Sequence, residues 1–164
     1  AAAQTEGPFY IRFGRAGTPV FTTSDTPFQL GKALTLFNSD NPKVAILSTG
    51  TLSYTALLAA KTLSESGVEC LVLHVPTIKP LDQEAVLDAA GRAGAVVTVE
   101  EHQAAGGFGS AVAELLSEKH PVPIQRLGIQ DVFGQSGSSE ELLAHYGLDA
   151  AHIVEAARAL ANSS

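Results

Sequence analysis

Three side chains that could take part in a reaction or bind a metal follow directly after the apolar run at residues 96–99. They are Glu100, Glu101 and His102. Carboxylates and imidazole are the usual groups for proton transfer and metal binding. In a doubly wound sheet, crevices for ligands or partners lie beyond the carboxyl ends of the strands, so we expect all three side chains to project there. Hydrogen bonding that organises an interface is favoured over metal binding, because no further ligand stands at a recognised spacing.

Two strand-to-helix turns, at residues 48–53 and 106–110, have the position of anion-binding loops. Backbone amides and hydroxyls at a helix N-terminus can hold a phosphate. Neither turn carries the lysine of a phosphate-binding loop or the spacing of a dinucleotide fingerprint. We therefore favour a structural turn with a hydroxyl cap for the first and a structural turn or subunit contact for the second, and keep a nucleotide or effector site as the alternative.

The arginines Arg12 and Arg15 form the remaining candidate site, since they flank Phe13 and Gly14. Two guanidinium groups at this spacing can hold a substrate phosphate by paired hydrogen bonds. Exposed ion pairing is an equally supported alternative. The spacing alone leaves both readings open.

Composition excludes several classes of protein. The chain has 164 residues, a net charge of -7 and only ten lysines and arginines, which disfavours a nucleic-acid-binding surface. No apolar run approaches the roughly 18 residues of a membrane span. The single cysteine, Cys70, lies in an apolar run, cannot form an internal disulfide and is predicted to be a core residue, as is His74. A cytoplasmic location fits best.

Hydrophobic patterning predicts a single α/β domain behind a short leader. Residues 8–13 alternate as a strand does, and residues 22–27 are small, polar or proline, so we divide the chain into residues 1–26 and 27–164. The first residues are similar to the end of a helix, which favours a fragment or a split subunit.

Strand and helix patterns then alternate, which predicts parallel strands joined by right-handed crossovers. The turn at residues 38–42 predicts an antiparallel hairpin between residues 33–37 and 43–48. Asp82 is predicted to cap a helix. The expected fold is a three-layer α/β/α domain with a mostly parallel five-stranded sheet and one antiparallel edge strand. Further strands are predicted at 68–75, 95–100 and 122–127, and helices at 51–65, 82–91, 108–119, 139–145 and 150–160, with the last two on the sheet edge.

Three motifs in register resemble the C-terminal section of transketolases. They are the segment 7–15 (GPFYIRFGR), the segment 77–82 (TIKPLD), and the segment 99–112 (VEEHQAAGGFGSAV). The resemblance covers nearly the whole chain. It implies that residues 1–26 are the end of a pyrimidine-binding domain plus a linker and that residues 27–164 are the transketolase C-terminal domain.

The resemblance also implies an activity. The complete enzyme would transfer a two-carbon ketol unit between phosphorylated sugars in the pentose phosphate pathway, with thiamine diphosphate and a divalent metal, magnesium or calcium. Neither would be bound by this chain, which would be inactive alone, would join the remaining domains or an N-terminal subunit, and would form a homodimer. Arg15 matches the arginine that transketolases place on the sugar phosphate.

Two alternatives to transketolase remain open. The first is a free-standing α/β module that binds a nucleotide or effector at one of the two strand-to-helix turns. The second is the same domain in a deoxyxylulose phosphate synthase or a ketoacid dehydrogenase beta subunit, because this domain carries little of the substrate pocket in that family.

Overall fold

The computed structural model describes residues 1–14 and 17–162. A short 3-10 helix at Ala2–Gln4 precedes the domain. The strands are β1 Leu34–Asn38, β2 Val44–Ser48, β3 Cys70–His74, β4 Val96–Gln103 and β5 Ile124–Ile129. The helices are α1 Leu52–Glu65, α2 Gln83–Ala93, α3 Phe108–Lys119, α4 Ser139–His145 and α5 Ala150–Ala161.

The strands form one sheet in the order β1-β3-β2-β4-β5, which confirms the predicted fold class. Strand β2 pairs in parallel with β3 and β4, and β4 pairs in parallel with β5. Strand β1 is antiparallel at the edge. Since β2 is buried along its whole length, the sheet is covered on both faces, as its uninterrupted apolar sequence indicates.

The hairpin predicted from the turn at residues 38–42 does not form. Strand β1 pairs with β3 instead, with Leu34 opposite His74 and Asn38 opposite Leu71. Both edges of β2 are already hydrogen-bonded, to β3 on one side and β4 on the other. Turn residues favour a chain reversal, but which strand accepts the returning chain depends on contacts distant in sequence.

Alternate residues of the strands pack in two separate hydrophobic cores, one on each face of the sheet. On one face, Ile46, Val97 and Val99 pack with α1 and α5. On the other face, Leu47 and Val96 pack with α2 and α3. The last helix therefore lies over a sheet face beside α1 and not at the sheet edge as predicted, because its apolar stripe is wide enough to enter the core. The buried residues of α5 are Ile153, Val154, Ala156 and Ala157.

Local signals set the ends of the helices. Asp82 caps α2 as predicted, accepting from the amide of Ala85 at 3.3 Å, and it also accepts from the amide of Ala33 at 2.9 Å. Gly94 ends the same helix with φ 72°, a conformation that favours glycine. Ser138 and Glu141 form a capping box at α4.

The strand predicted at residues 8–13 is absent from the fold. These residues carry no regular secondary structure. A period-two pattern becomes a strand only beside a partner that shares its hydrogen bonds, and in the described part of the chain no strand pairs with this segment. Among the described helices, none has the length and apolar character needed to cross a bilayer.

Candidate functional site at the carboxyl edge of the sheet

The side chain of Glu100 turns inward within β4, against the expectation that it projects beyond the end of the strand, because the strand continues to Gln103. It is 2% exposed. Its two carboxylate oxygens accept from the amides of Phe108 and Gly109, each at 2.7 Å. These are orphan donors of the first turn of α3, where the helix dipole favours negative charge. Glu100 therefore occupies the position at which a helix N-terminus would hold a phosphate.

Glu101, one residue later, reaches the opposite face. Its Oε2 accepts from Oγ1 of Thr51 at 3.1 Å, where α1 begins, and its side chain stays exposed. Successive side chains of a strand point to opposite faces, and α1 and α3 lie on opposite faces of this sheet. The acidic pair is thus divided between two helices, one carboxylate for each.

The glycine turn before α3 is shaped around Glu100. A Cβ on Gly107 would collide with Oε2 of Glu100 and the carbonyl of Gln103, and a Cβ on Gly109 would stand 2.5 Å from Oγ1 of Thr98. Close approach of the backbone to the carboxylate requires glycine at both positions. The space that a ligand phosphate would need is filled by the protein itself.

Arg126, which the sequence patterns do not single out, completes this turn. Its Nη1 donates to the carbonyl of Ala104 and to Oγ of Ser110, both at 2.8 Å. Ser110 Oγ in turn accepts from the amide of Gly106 at 2.9 Å and donates to the carbonyl of Ala104 at 3.0 Å. The sequence offers only a weak hint, a charged residue between apolar positions of a strand that also contains Gln125. The turn is rigid because its own polar groups are engaged.

The hydroxyls of the first turn, residues 48–53, are also engaged internally. Thr49 Oγ1 donates to the carbonyl of Val75 at 2.8 Å. Thr51 is the N-cap residue of α1 but makes no side-chain cap, so the predicted hydroxyl cap is wrong. Its backbone is already helical, with φ -67° and ψ -28°, and its hydroxyl serves Glu101 instead.

His74 joins a short chain of side-chain hydrogen bonds. Its Nδ1 lies 2.6 Å from Oγ of Ser53, and Ser48 Oγ donates to Ser53 Oγ at 3.0 Å. Phe21 stacks edge-on against the imidazole with ring centroids 5.5 Å apart. Burial lowers the pKa of His74, which favours the neutral ring. The histidine is hydrogen-bonded, as predicted, but it is only half-buried at the end of β3 and belongs to neither hydrophobic core.

Cys70 lies in the core at the start of β3. It is fully buried, and burial raises the pKa of its thiol to about 11. A thiol that stays protonated at neutral pH is a poor nucleophile and a poor metal ligand. Cys70 is therefore the core residue that its apolar neighbours predict.

The remaining candidates lie apart from one another. Arg12 Nη1 donates to the carbonyl of Glu101 at 2.8 Å, whereas Arg15 lies outside the described residues. His102 is exposed, and its Nδ1 comes no nearer than 3.4 Å to the carbonyl of Gln103. Within residues 1–14 and 17–162, no three His, Cys, Asp or Glu side chains gather as metal ligands do.

The fold and the geometry at the strand ends identify an α/β/α domain. Its two strand-to-helix turns, where such domains often bind ligands, are occupied by the protein's own side chains. Residues 31–153 match the family described as "Transketolase, C-terminal domain". The chain belongs to this family, and the resemblance found in its sequence motifs is confirmed.

Similar proteins include subunits of split transketolases. The 6-deoxy-6-sulfo-D-fructose transketolase subunit of Clostridium sp. (strain MSTE9) is 45% identical over 152 residues, which is 93% of this chain and 47% of that protein. The 1-deoxy-D-xylulose-5-phosphate synthase of Trichormus variabilis is 41% identical over 155 residues, covering 92% of this chain and 24% of that protein. The chain thus spans about half the first relative and a quarter of the second.

A solved structure described as a split gene transketolase, an inactive beta4 tetramer, has the same fold. It superposes with a TM-score of 0.92 at 42% identity, covering 98% of this chain and 52% of that chain. The agreement includes the mixed five-stranded sheet and its flanking helices.

Proposed function

We propose that this chain is the C-terminal part of a transketolase that transfers a two-carbon ketol unit between phosphorylated sugars. Family membership and the similarity to split transketolase subunits support the reaction class. The role within that enzyme is scaffolding and subunit contact. Glu100 supports the scaffold role, because its carboxylate already holds the two amides of the turn at which an α/β domain most readily binds a phosphate.

Thiamine diphosphate and a divalent metal, magnesium or calcium, belong in this proposal to the rest of the enzyme. The two strand-to-helix turns that the structure describes do not fit a diphosphate: Glu100 already fills the anion position at α3, and the hydroxyls of Thr49 and Thr51 face protein acceptors. The cofactor supplies the electron sink for the reaction when it is bound elsewhere in the assembly.

Arg15 is the proposed contact to the substrate phosphate. A charge-assisted hydrogen bond contributes about 1.5–3 kcal/mol. Arg15→Ala in the assembled enzyme should therefore raise KM for phosphorylated substrates about tenfold to a hundredfold. Steady-state kinetics measure this, with Arg158→Ala on α5 as the matched arginine control. An unchanged KM would remove Arg15 from the site.

The boundary between residues 1–26 and residues 27–164 is part of the same proposal. Two hydrogen bonds support its second part, because they join residues 31 and 33 to the domain, although Arg12 and Phe21 of the first part contact the domain as well. The amide of Gly31 donates to Oγ1 of Thr77 at 3.2 Å, and the amide of Ala33 donates to Asp82 at 2.9 Å. We further propose a homodimer in the cytoplasm, joined to the polypeptide that carries the remaining domains.

Reconstitution tests the proposal. The chain alone should neither turn over ketose and aldose phosphates nor bind thiamine diphosphate in calorimetry, and mixing it with the remaining transketolase polypeptide should restore turnover. Turnover or tight thiamine diphosphate binding by the chain alone would refute it. Thermal stabilisation of the chain by a nucleotide would instead favour the independent binding module.

A second candidate reaction is deoxyxylulose phosphate synthesis, which the similarity to the Trichormus variabilis enzyme favours. Both reactions begin from related chemistry and differ in the carbon unit that is handled. Assaying the reconstituted enzyme with pyruvate and glyceraldehyde phosphate, in parallel with ketose donors, separates them. Product only in the first assay would replace the transketolase proposal.

A further inference from the structure

The segment that leads to Arg15 is hydrogen-bonded to the carboxyl edge of the sheet at one point and passes close to that edge at a second. Arg12 Nη1 donates to the carbonyl of Glu101 at 2.8 Å. A methyl group on Gly14 would stand 3.4 Å from Cγ2 of Thr51. Thr51 and Glu101 are themselves hydrogen-bonded at 3.1 Å. We call these two residues the edge seat, since residues 12–14 rest on both.

Polar contact holds residues 12–14 in place, because the one apolar side chain among them, that of Phe13, is mostly exposed. Tyr10 is 91% exposed and Phe13 is 83% exposed, so neither is buried against the domain. The Arg12 hydrogen bond joins residues 89 positions apart in the chain. A charged donor on a backbone acceptor gives a stronger bond than a neutral pair. Arg12 is therefore the principal attachment of the segment.

The direction of this bond distinguishes the two arginines. The sequence alone allows Arg12 and Arg15 to grip one phosphate together, but the guanidinium of Arg12 is directed at the backbone of β4. Arg15 follows Gly14 immediately in the chain. Arg12 therefore bonds to the domain, while only Phe13 and Gly14 separate it from Arg15 in the chain.

We infer that Arg12 is a positioning residue that seats residues 12–14 on Glu101 and Thr51 and thereby sets the placement of Arg15. This inference rests on the proposed phosphate contact of Arg15. It gives the C-terminal domain a defined part in substrate binding: its sheet edge holds the segment that bears the arginine.

Limited proteolysis tests the seat without any activity measurement. Chymotrypsin cleaves after Phe13, and when opening is fast the cleavage rate follows the population of the opened segment. Arg12→Ala should accelerate cleavage about threefold to tenfold, as loss of one exposed charged hydrogen bond predicts. Arg12→Lys should fall between Arg12→Ala and wild type.

Two controls sharpen the proteolysis. Each rate is divided by that of the same variant unfolded in urea at a concentration chymotrypsin tolerates, because residue 12 adjoins the cleaved bond and alters the protease's own preference. Arg158→Ala should cleave as wild type does. An Arg12→Ala rate ratio equal to that of wild type would overturn the inference.

Kinetics of the assembled enzyme test the link to Arg15. Arg12→Ala should raise KM for phosphorylated substrates about threefold to tenfold, with kcat changed less than about twofold. If Arg12 acts only through Arg15, adding Arg12→Ala to Arg15→Ala should raise KM no further. A further, additive rise would mean that Arg12 touches the phosphate directly, and it would overturn the positioning role.

The failure of the two proposals is distinguishable. An unchanged KM in Arg15→Ala would refute the phosphate contact and, with it, the effect of the seat on substrate binding. Accelerated cleavage of Arg12→Ala in that case would still show that the segment is seated by Arg12. An unchanged cleavage ratio with a raised KM in Arg15→Ala would refute the seat and leave the phosphate contact standing.

Discussion

Replacing Glu100 by glutamine is expected to destabilise the domain more than any other change of one atom at the sheet edge. Both carboxylate oxygens accept backbone amides at 2.7 Å, and the side chain is 2% exposed. Glutamine keeps one oxygen acceptor and turns an amino group toward the other amide. One bond is lost, two donors face each other, and the surviving bond no longer involves a charge.

The magnitude follows from these contacts. A hydrogen bond to a charged group contributes about 1.5–3 kcal/mol and a neutral one about 0.5–1.5 kcal/mol. Removing a buried charge recovers part of the loss, because its desolvation cost disappears. The expected decrease in the free energy of unfolding is about 2 kcal/mol, which for a chain of this size lowers Tm by about 4–8 °C.

Urea unfolding monitored by circular dichroism measures this change, with Glu101→Gln as the matched control. The neighbouring carboxylate is exposed and accepts one side-chain hydroxyl, so its loss should cost less than about 1 kcal/mol. If Glu100→Gln is no less stable than Glu101→Gln, the buried cap does not contribute as argued. Equal losses at both positions would likewise refute the division of the pair.

Two further predictions concern the side chains of Thr98 and His74. Thr98 Oγ1 is buried without a hydrogen-bond partner among the described residues, so Thr98→Val should raise the free energy of unfolding by up to about 1 kcal/mol. Thr35→Val, on an exposed position of β1, is the control. A lower free energy of unfolding in Thr98→Val than in this control would contradict the prediction. Burial lowers the pKa of His74, so the unfolded chain binds its proton at higher pH and stability falls as pH drops through about 6.5. His74→Asn should weaken the dependence of the urea midpoint on pH near and below pH 6.5, whereas His120→Asn should leave it unchanged. Equal pH profiles for the two variants would refute the assignment of this effect to His74.

Local patterns in the sequence predict most of the elements. Helix α3 begins and ends where predicted, because glycines precede Phe108 and the apolar spacing runs unbroken to Lys119. Asp82 is identified as a cap from its place before a helical pattern. Fold class follows from the alternation of strands and helices, since parallel strands need crossover helices.

Long-range partners are what local patterns leave undetermined. The turn before β2 predicts a reversal, yet β1 lies against β3, because pairing is decided by which strand edge remains free. Glu100 and Glu101 look equivalent in the sequence, as an exposed acidic pair. In the fold, Glu100 is buried against the start of α3, whereas Glu101 stays exposed and bonds to Thr51. The role of Arg126 likewise depends on the loop that folds over it.

The division of the acidic pair makes β4 intolerant of a change in length. Deleting or inserting a single residue between Val96 and Glu100 would move every later side chain to the opposite side of the pleat. Glu100 would then point toward α1 and Glu101 toward α3, so that a carboxylate would enter each core at the wrong depth while both helix starts lost their partners. Sequences that share this edge should therefore keep the same number of residues between the start of β4 and the acidic pair.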